Sequence, residues 1–101
     1  MAVKSTNESF PQDIAEGLVL ADFYSDSCIP CKRMSPVLAE LEEENPEVKL
    51  VKLNINFSAE TAAKYEVASV PTLVFFRDGS EVQRISGAVR KAQIEEILKT
   101  I

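Results

Sequence analysis

Tryptophan and histidine are absent from this chain, and cysteine occurs only twice. A tetrahedral structural zinc site wants four Cys or His ligands, so one copy of the chain cannot complete it, and a shared metal or iron–sulfur cluster would require a second copy. Positive charge is also scarce. Lys and Arg number 11 against 16 Asp and Glu, for a net charge of -5, which disfavours phosphate backbones and anionic membrane surfaces as partners. No stretch approaches the roughly 18 uninterrupted apolar residues of a membrane span. The segment Met1–Glu8 lacks the basic-then-apolar order of an export signal. The expectation is a soluble, unexported, cytoplasmic protein that binds neither nucleic acid nor membrane.

The 101 residues, 46% of them hydrophobic, suffice for one continuous core, and no linker, repeat or low-complexity tract divides them. A single domain spanning residues 1–101 is expected. Phe10 and Ile14 mark a short first helix, with Pro11 tolerable in its first turn and Gly17 placed to end it. Leu18–Tyr24 is an almost continuous apolar run, the pattern of a strand covered on both faces, interrupted by Asp22. A helix is expected from Pro30 to Asn45, with Met34, Val37, Leu38 and Leu41 at helical spacing, a kink at Pro36 and a stop at Asn45-Pro46.

Val48, Leu50, Leu53 and Ile55 predict a second strand, and Ala59–Tyr65 a short helix. Thr72–Phe76 and Glu81–Ile85 predict an antiparallel pair joined at Asp78-Gly79, a strong tight-hairpin signal. Ile94, Ile97, Leu98 and Ile101 form one stripe of a final helix whose N-cap is not evident. Together these elements give an α/β class, a central mixed sheet flanked by helices on both faces. Phe75-Phe76 reads as packing, and Glu42-Glu43-Glu44 as a solvated helix end.

The two cysteines stand as Cys28-Ile29-Pro30-Cys31. Closing so small a ring gives little chain-entropy stabilisation, roughly 2 kcal/mol, so a structural staple would span farther. A dithiol/disulfide switch leads, against two small buried hydrophobes or half of a metal site. At a helix N-terminus the unpaired N–H groups and the dipole favour an anion, so the Cys28 thiol is expected below its ordinary value, with Lys32 and Arg33 adding modestly to the positive potential. Asp22 is the second candidate. A carboxyl inside an apolar strand is costly to ionise, so it is expected to titrate high unless it lies at an exposed strand end.

The stretch Ala21-Asp22-Phe23-Tyr24-Ser25-Asp26-Ser27-Cys28-Ile29-Pro30-Cys31-Lys32 resembles the active-site segment of the thioredoxin family, and Val70-Pro71-Thr72-Leu73 resembles that family's second signature. The likeness continues through Lys52-Leu53-Asn54-Ile55, Asp78-Gly79 and Gly87-Ala88, in family order, over essentially the whole chain.

The resemblance implies the thioredoxin fold and a protein-disulfide reductase. Cys28 would attack a substrate disulfide and Cys31 would resolve the mixed disulfide. Asp22 would move a proton to or from Cys31, with Lys52 as a modulating charge. Pro71 would be cis beside the sulfurs, and the Val70 backbone would pair with an extended substrate segment. Standing alone, Val70-Pro71 would read as an ordinary turn proline. No metal and no cofactor are implied. The implied partners are disulfide-containing proteins and a thioredoxin reductase or equivalent electron donor, and the default state is a monomer.

Departures from the family pattern bear on partner choice. Ser27 and Tyr24 stand where thioredoxins usually carry tryptophan, and Ile29 replaces the usual glycine between the cysteines. These changes reshape the apolar patch that Pro30, Ile55, Val70, Pro71, Gly87 and Ala88 would form, and they alter thiolate stability and hence reduction potential. Two other functions fit the same residues: an oxidising or isomerising enzyme of thioredoxin type, and a non-catalytic module docking through the patch around Pro30 and Pro71.

Overall fold

The computed structural model describes residues 2–101. Nine elements follow one another: β1 (Val3–Lys4), α1 (Phe10–Asp13), β2 (Leu18–Tyr24), α2 (Ile29–Glu44), β3 (Val48–Asn54), α3 (Ala59–Lys64), β4 (Thr72–Arg77), β5 (Ser80–Ser86) and α4 (Lys91–Thr100). The strands form one sheet in the order β1-β3-β2-β4-β5. β3 runs parallel to both β1 and β2, whereas β4 is antiparallel to β2 and β5. The mixed sheet expected from the sequence is therefore present, with β1 added at one side.

Strand alternation sorts the core into two layers. Val19, Ala21 and Phe23 of β2, Val51 and Leu53 of β3, and Val74 and Phe76 of β4 face α1 and α3, meeting Phe10, Ile14 and Ala62. Leu20, Leu50, Leu73 and Phe75 point the other way, against Met34, Leu38 and Leu41 of α2 and Ile94 of α4. Phe75 and Phe76, both fully buried, thus serve opposite faces. In the first layer Phe10, Phe23, Tyr65 and Phe76 meet edge to face at centroid distances of 5.4–5.8 Å, the arrangement that ring quadrupoles favour.

Local chemistry explains most boundaries. Pro11 sits in the first turn of α1, where its missing N–H is no loss. Pro36 leaves α2 unbroken through Glu44, and Asn45 ends it, its backbone N–H and its Nδ2 both donating to the Leu41 carbonyl at 2.9 Å. Asp78 and Gly79 both have positive φ, 50° and 87°, as a two-residue turn matched to strand twist requires. Arg90 caps α4, its N–H donating to Gln93 Oε1 at 2.9 Å. Arginine is not a usual capping side chain, so this start carried no signal.

Two details go beyond the sequence reading. The acidic end of α2 is more than a solvated face: Glu40 and Glu44 both take Lys91 Nζ, at 2.8 and 2.6 Å, tying α4 to α2. In the β4–β5 pair, Phe75 faces Gln83 but Phe76 faces Glu81. Val82 is left over as a bulge, 43% exposed.

Candidate active site

The register gathers the site at one end of the sheet. β2 and β3 finish side by side, Tyr24 paired with Asn54. β4 starts at Thr72, which pairs with Phe23 on one side and with Ser86 near the end of β5 on the other. The segments 25–28, 55–58, 70–71 and 87–88 therefore emerge together. Parallel strands commonly present ligand sites at such carboxyl ends.

Cys28 is the N-cap of α2, in extended conformation. The Cys31 backbone N–H donates to Cys28 Sγ at 3.1 Å, and the Cys28 carbonyl accepts from the Lys32 N–H at 3.2 Å. One sulfur thus takes a helix-terminal N–H that would otherwise be unpaired, with the dipole behind it. A disulfide joins Cys28 to Cys31, their Cα atoms 5.2 Å apart. Both cysteines are buried, Cys28 at 9% exposure and Cys31 at 4%.

Asp22 lies on the same face of β2 as Leu20 and Tyr24, beneath α2. It is 2% exposed, which removes the exposed strand-end alternative, and its Oδ1 is buried with no hydrogen-bond partner. Burial pushes its carboxyl up to about 6, an effect that the nearby Lys52 ammonium partly offsets. Lys52 is its direct neighbour across the β2–β3 ladder. A cavity of about 150 Å³ borders Asp22, Cys31, Lys32, Ser35 and Lys52. The carboxyl and the inner cysteine thus border one cleft, open on one side.

The residues expected to meet substrate divide by exposure. Ser27, Ile29, Pro30 and Ala88 are exposed, Ile29 at 63%. Ile55, Val70 and Gly87 are half-buried and Pro71 is buried. The Val70-Pro71 bond is cis. Hydrogen bonds fix the flanking loops, from Gly87 N–H to the Pro71 carbonyl and from Ile55 N–H to the Tyr24 carbonyl, each 2.8 Å.

Sequence reasoning did not single out Asn54, Asp26 or Phe57. Asn54 Nδ2 donates to Asp26 Oδ1 at 3.0 Å. Phe57, in the loop after β3, is 78% exposed. Period two could have found Asn54, since it follows Lys52 on the same strand face.

The family model described as Thioredoxin matches residues 1–100. The chain belongs to the thioredoxin family. It is 42% identical to the thioredoxin of Bacillus subtilis strain 168 over 97 residues, covering 95% of this chain and 93% of that protein. It is 41% identical to the thioredoxin of Chlamydia pneumoniae over 93 residues, 92% of this chain and 91% of that one. For the thioredoxin of Listeria monocytogenes serovar 1/2a the identity is 38% over 99 residues, 97% and 96% of the two chains. Membership of the thioredoxin family and the closed Cys28–Cys31 pair make this a protein thiol-disulfide oxidoreductase. No helix among the described residues is long and apolar enough to cross a membrane.

Proposed function

We propose that this thioredoxin-family chain is a single-domain, monomeric, cytoplasmic reductase of protein disulfides, with Cys28 as nucleophile and Cys31 as resolving thiol. The observation that carries the assignment of roles is the asymmetry of the pair: Cys28 caps the helix and accepts an N–H, whereas Cys31 lies one turn inside, over the cavity it shares with Asp22.

In the reduced protein the Cys28 thiolate attacks one sulfur of the substrate disulfide. A Cys28–substrate bond forms, the substrate bond breaks, and the released sulfur leaves as a thiolate that takes a proton from water. Cys31 then gives its proton to Asp22, and its thiolate attacks Cys28 Sγ, expelling the second substrate sulfur as a thiolate that takes a proton from water, while Asp22 releases the proton it received to solvent. The substrate gains two electrons and becomes a dithiol, and the chain is left with its internal disulfide. Asp22 suits the task because it titrates near neutrality, where proton transfer in either direction is easy. Lys52 tempers that basicity. A thioredoxin reductase or equivalent donor returns two electrons to the cysteine pair. Ile29, Pro30, Ile55 and Pro71 supply apolar contacts to substrate, with Ser27, Gly87 and Ala88 at their rim, while the Val70 backbone pairs with an extended segment.

The test is reduction of insulin disulfides with several electron donors. Cys28→Ser is expected to abolish turnover, and Cys31→Ser to accumulate mixed disulfides on Cys28. Full turnover by Cys28→Ser would exclude it as nucleophile. A reduction potential near or below that of glutathione is expected, and one far above it would assign an oxidising role instead.

A further inference from the structure

The face of the sheet beneath α2 carries a four-residue polar plaque at the end of β2 and β3. Asp22 pairs with Lys52 and Tyr24 with Asn54, so Lys52 and Tyr24 are diagonal neighbours, within reach of long and aromatic side chains. The Lys52 ammonium does lie over the Tyr24 ring, 5.4 Å from its centroid. That contact stands between two cavities. Tyr24 and Lys52 border both the cavity that reaches Asp22 and Cys31 and a larger one, of about 400 Å³, opening toward Lys4, Ser58 and the exposed Phe57. A lysine without this seat could turn into the larger cavity, away from Asp22.

We propose that Tyr24 is a positioning residue: its ring seats the Lys52 ammonium beside the Asp22 carboxyl, and so sets how readily that carboxyl exchanges its proton in the resolving step. The inference deepens the reading of Asp22 as proton carrier for Cys31 and rests on it. The cavity that borders Asp22 is lined by Lys52 from β3, by Tyr24 and Asp26 from β2 and the loop after it, and by Cys31 and Lys32 from α2. The neighbour of Asp22 on β4 is the apolar Leu73. Lys52 is the charge that acts on the carboxyl, and Tyr24 holds that charge in place.

The experiment titrates the Asp22 carboxyl carbon by NMR in the disulfide form of the native chain, Tyr24→Phe, Tyr24→Leu, Lys52→Met and the double variant Tyr24→Leu/Lys52→Met. Leucine keeps apolar cover over Asp22 while removing the ring's quadrupole. Tyr24→Phe is expected to titrate like the native chain, and Tyr24→Leu to have its midpoint raised by roughly half a pH unit, the worth of one such contact. Lys52→Met is expected to raise it at least as far. The double variant should then match Lys52→Met alone, because leucine has no lysine left to release. A Tyr24→Leu midpoint that is unmoved or lowered overturns the proposal. So does a leucine effect that persists undiminished without Lys52, which would mark Tyr24 as mere packing. If the midpoints move as stated while the pH profile of insulin reduction stays fixed, Tyr24 does seat Lys52, and it is the proton-carrying role of Asp22 that falls.

Discussion

Asp22 is the residue at which stability and the proposed chemistry conflict. Its carboxyl titrates at about 6 in the folded chain, against 3.8 without its surroundings. The folded state therefore holds the proton more tightly than the unfolded one, and stability falls as pH rises from about 4 through about 6. Above that window the charged carboxylate costs about 3 kcal/mol. Replacing Asp22 by Asn should raise urea stability by up to that amount at pH 7 and change it little at pH 4. Equal gains at both pH values would show that the effect is not ionisation. The same substitution should slow insulin reduction and flatten its pH profile near neutrality. Asp22 was legible because an acid in an apolar run is conspicuous, and Lys52 because the resemblance named it. Tyr24 was noticed only as a departure from the family, since its contact with Lys52 depends on the register between two strands, which no single stretch of sequence contains.

At the scale of elements, the turn residues that announced themselves are the ones whose backbone demands them. Gly79 at φ 87° joins β4 to β5, and a Cβ there would meet only backbone atoms of Ala15, at 3.8 Å or more. Gly79→Ala should therefore act through backbone strain and not through a clash, lowering urea stability by about 1 kcal/mol with insulin reduction unchanged. A neutral effect would mean that the hairpin relaxes to another turn. β1 escaped the sequence reading because two residues, Val3 and Lys4, show no alternation; they form a strand by docking on Val51 and Lys52. Pairing made that element, not propensity. Helix α2 was legible from Met34, Leu38 and Leu41, and its expected start at Pro30 differs from the observed Ile29 by one residue.

Over the whole molecule, the sheet separates two chemistries. The layer under α2 and α4 holds Asp22 and the cysteines, while the layer under α1 and α3 holds the aromatic cluster around Phe10. Phe10 is 1% exposed and touches three other rings. Phe10→Ala should cost about 3–5 kcal/mol, a large part of the roughly 5–15 kcal/mol that holds a domain together. Thermal unfolding would show it, and the fraction that stays folded should keep its Cys28 reactivity. A loss below 1 kcal/mol would mean that the cluster closes around the gap. Strand order was within reach of the sequence, since helical crossovers impose parallel pairs and the tight turn an antiparallel one. The bulge at Val82 was not, because Glu81–Ile85 reads as unbroken β. Its consequence concerns crowding. β5 is one of the two margins of the sheet, a place where a neighbouring molecule could add a strand of its own, yet the displaced Val82 and the charges of Glu81 and Arg84 spoil it as a template. Concentrated solutions of the chain should accordingly resist fibril growth from this flank.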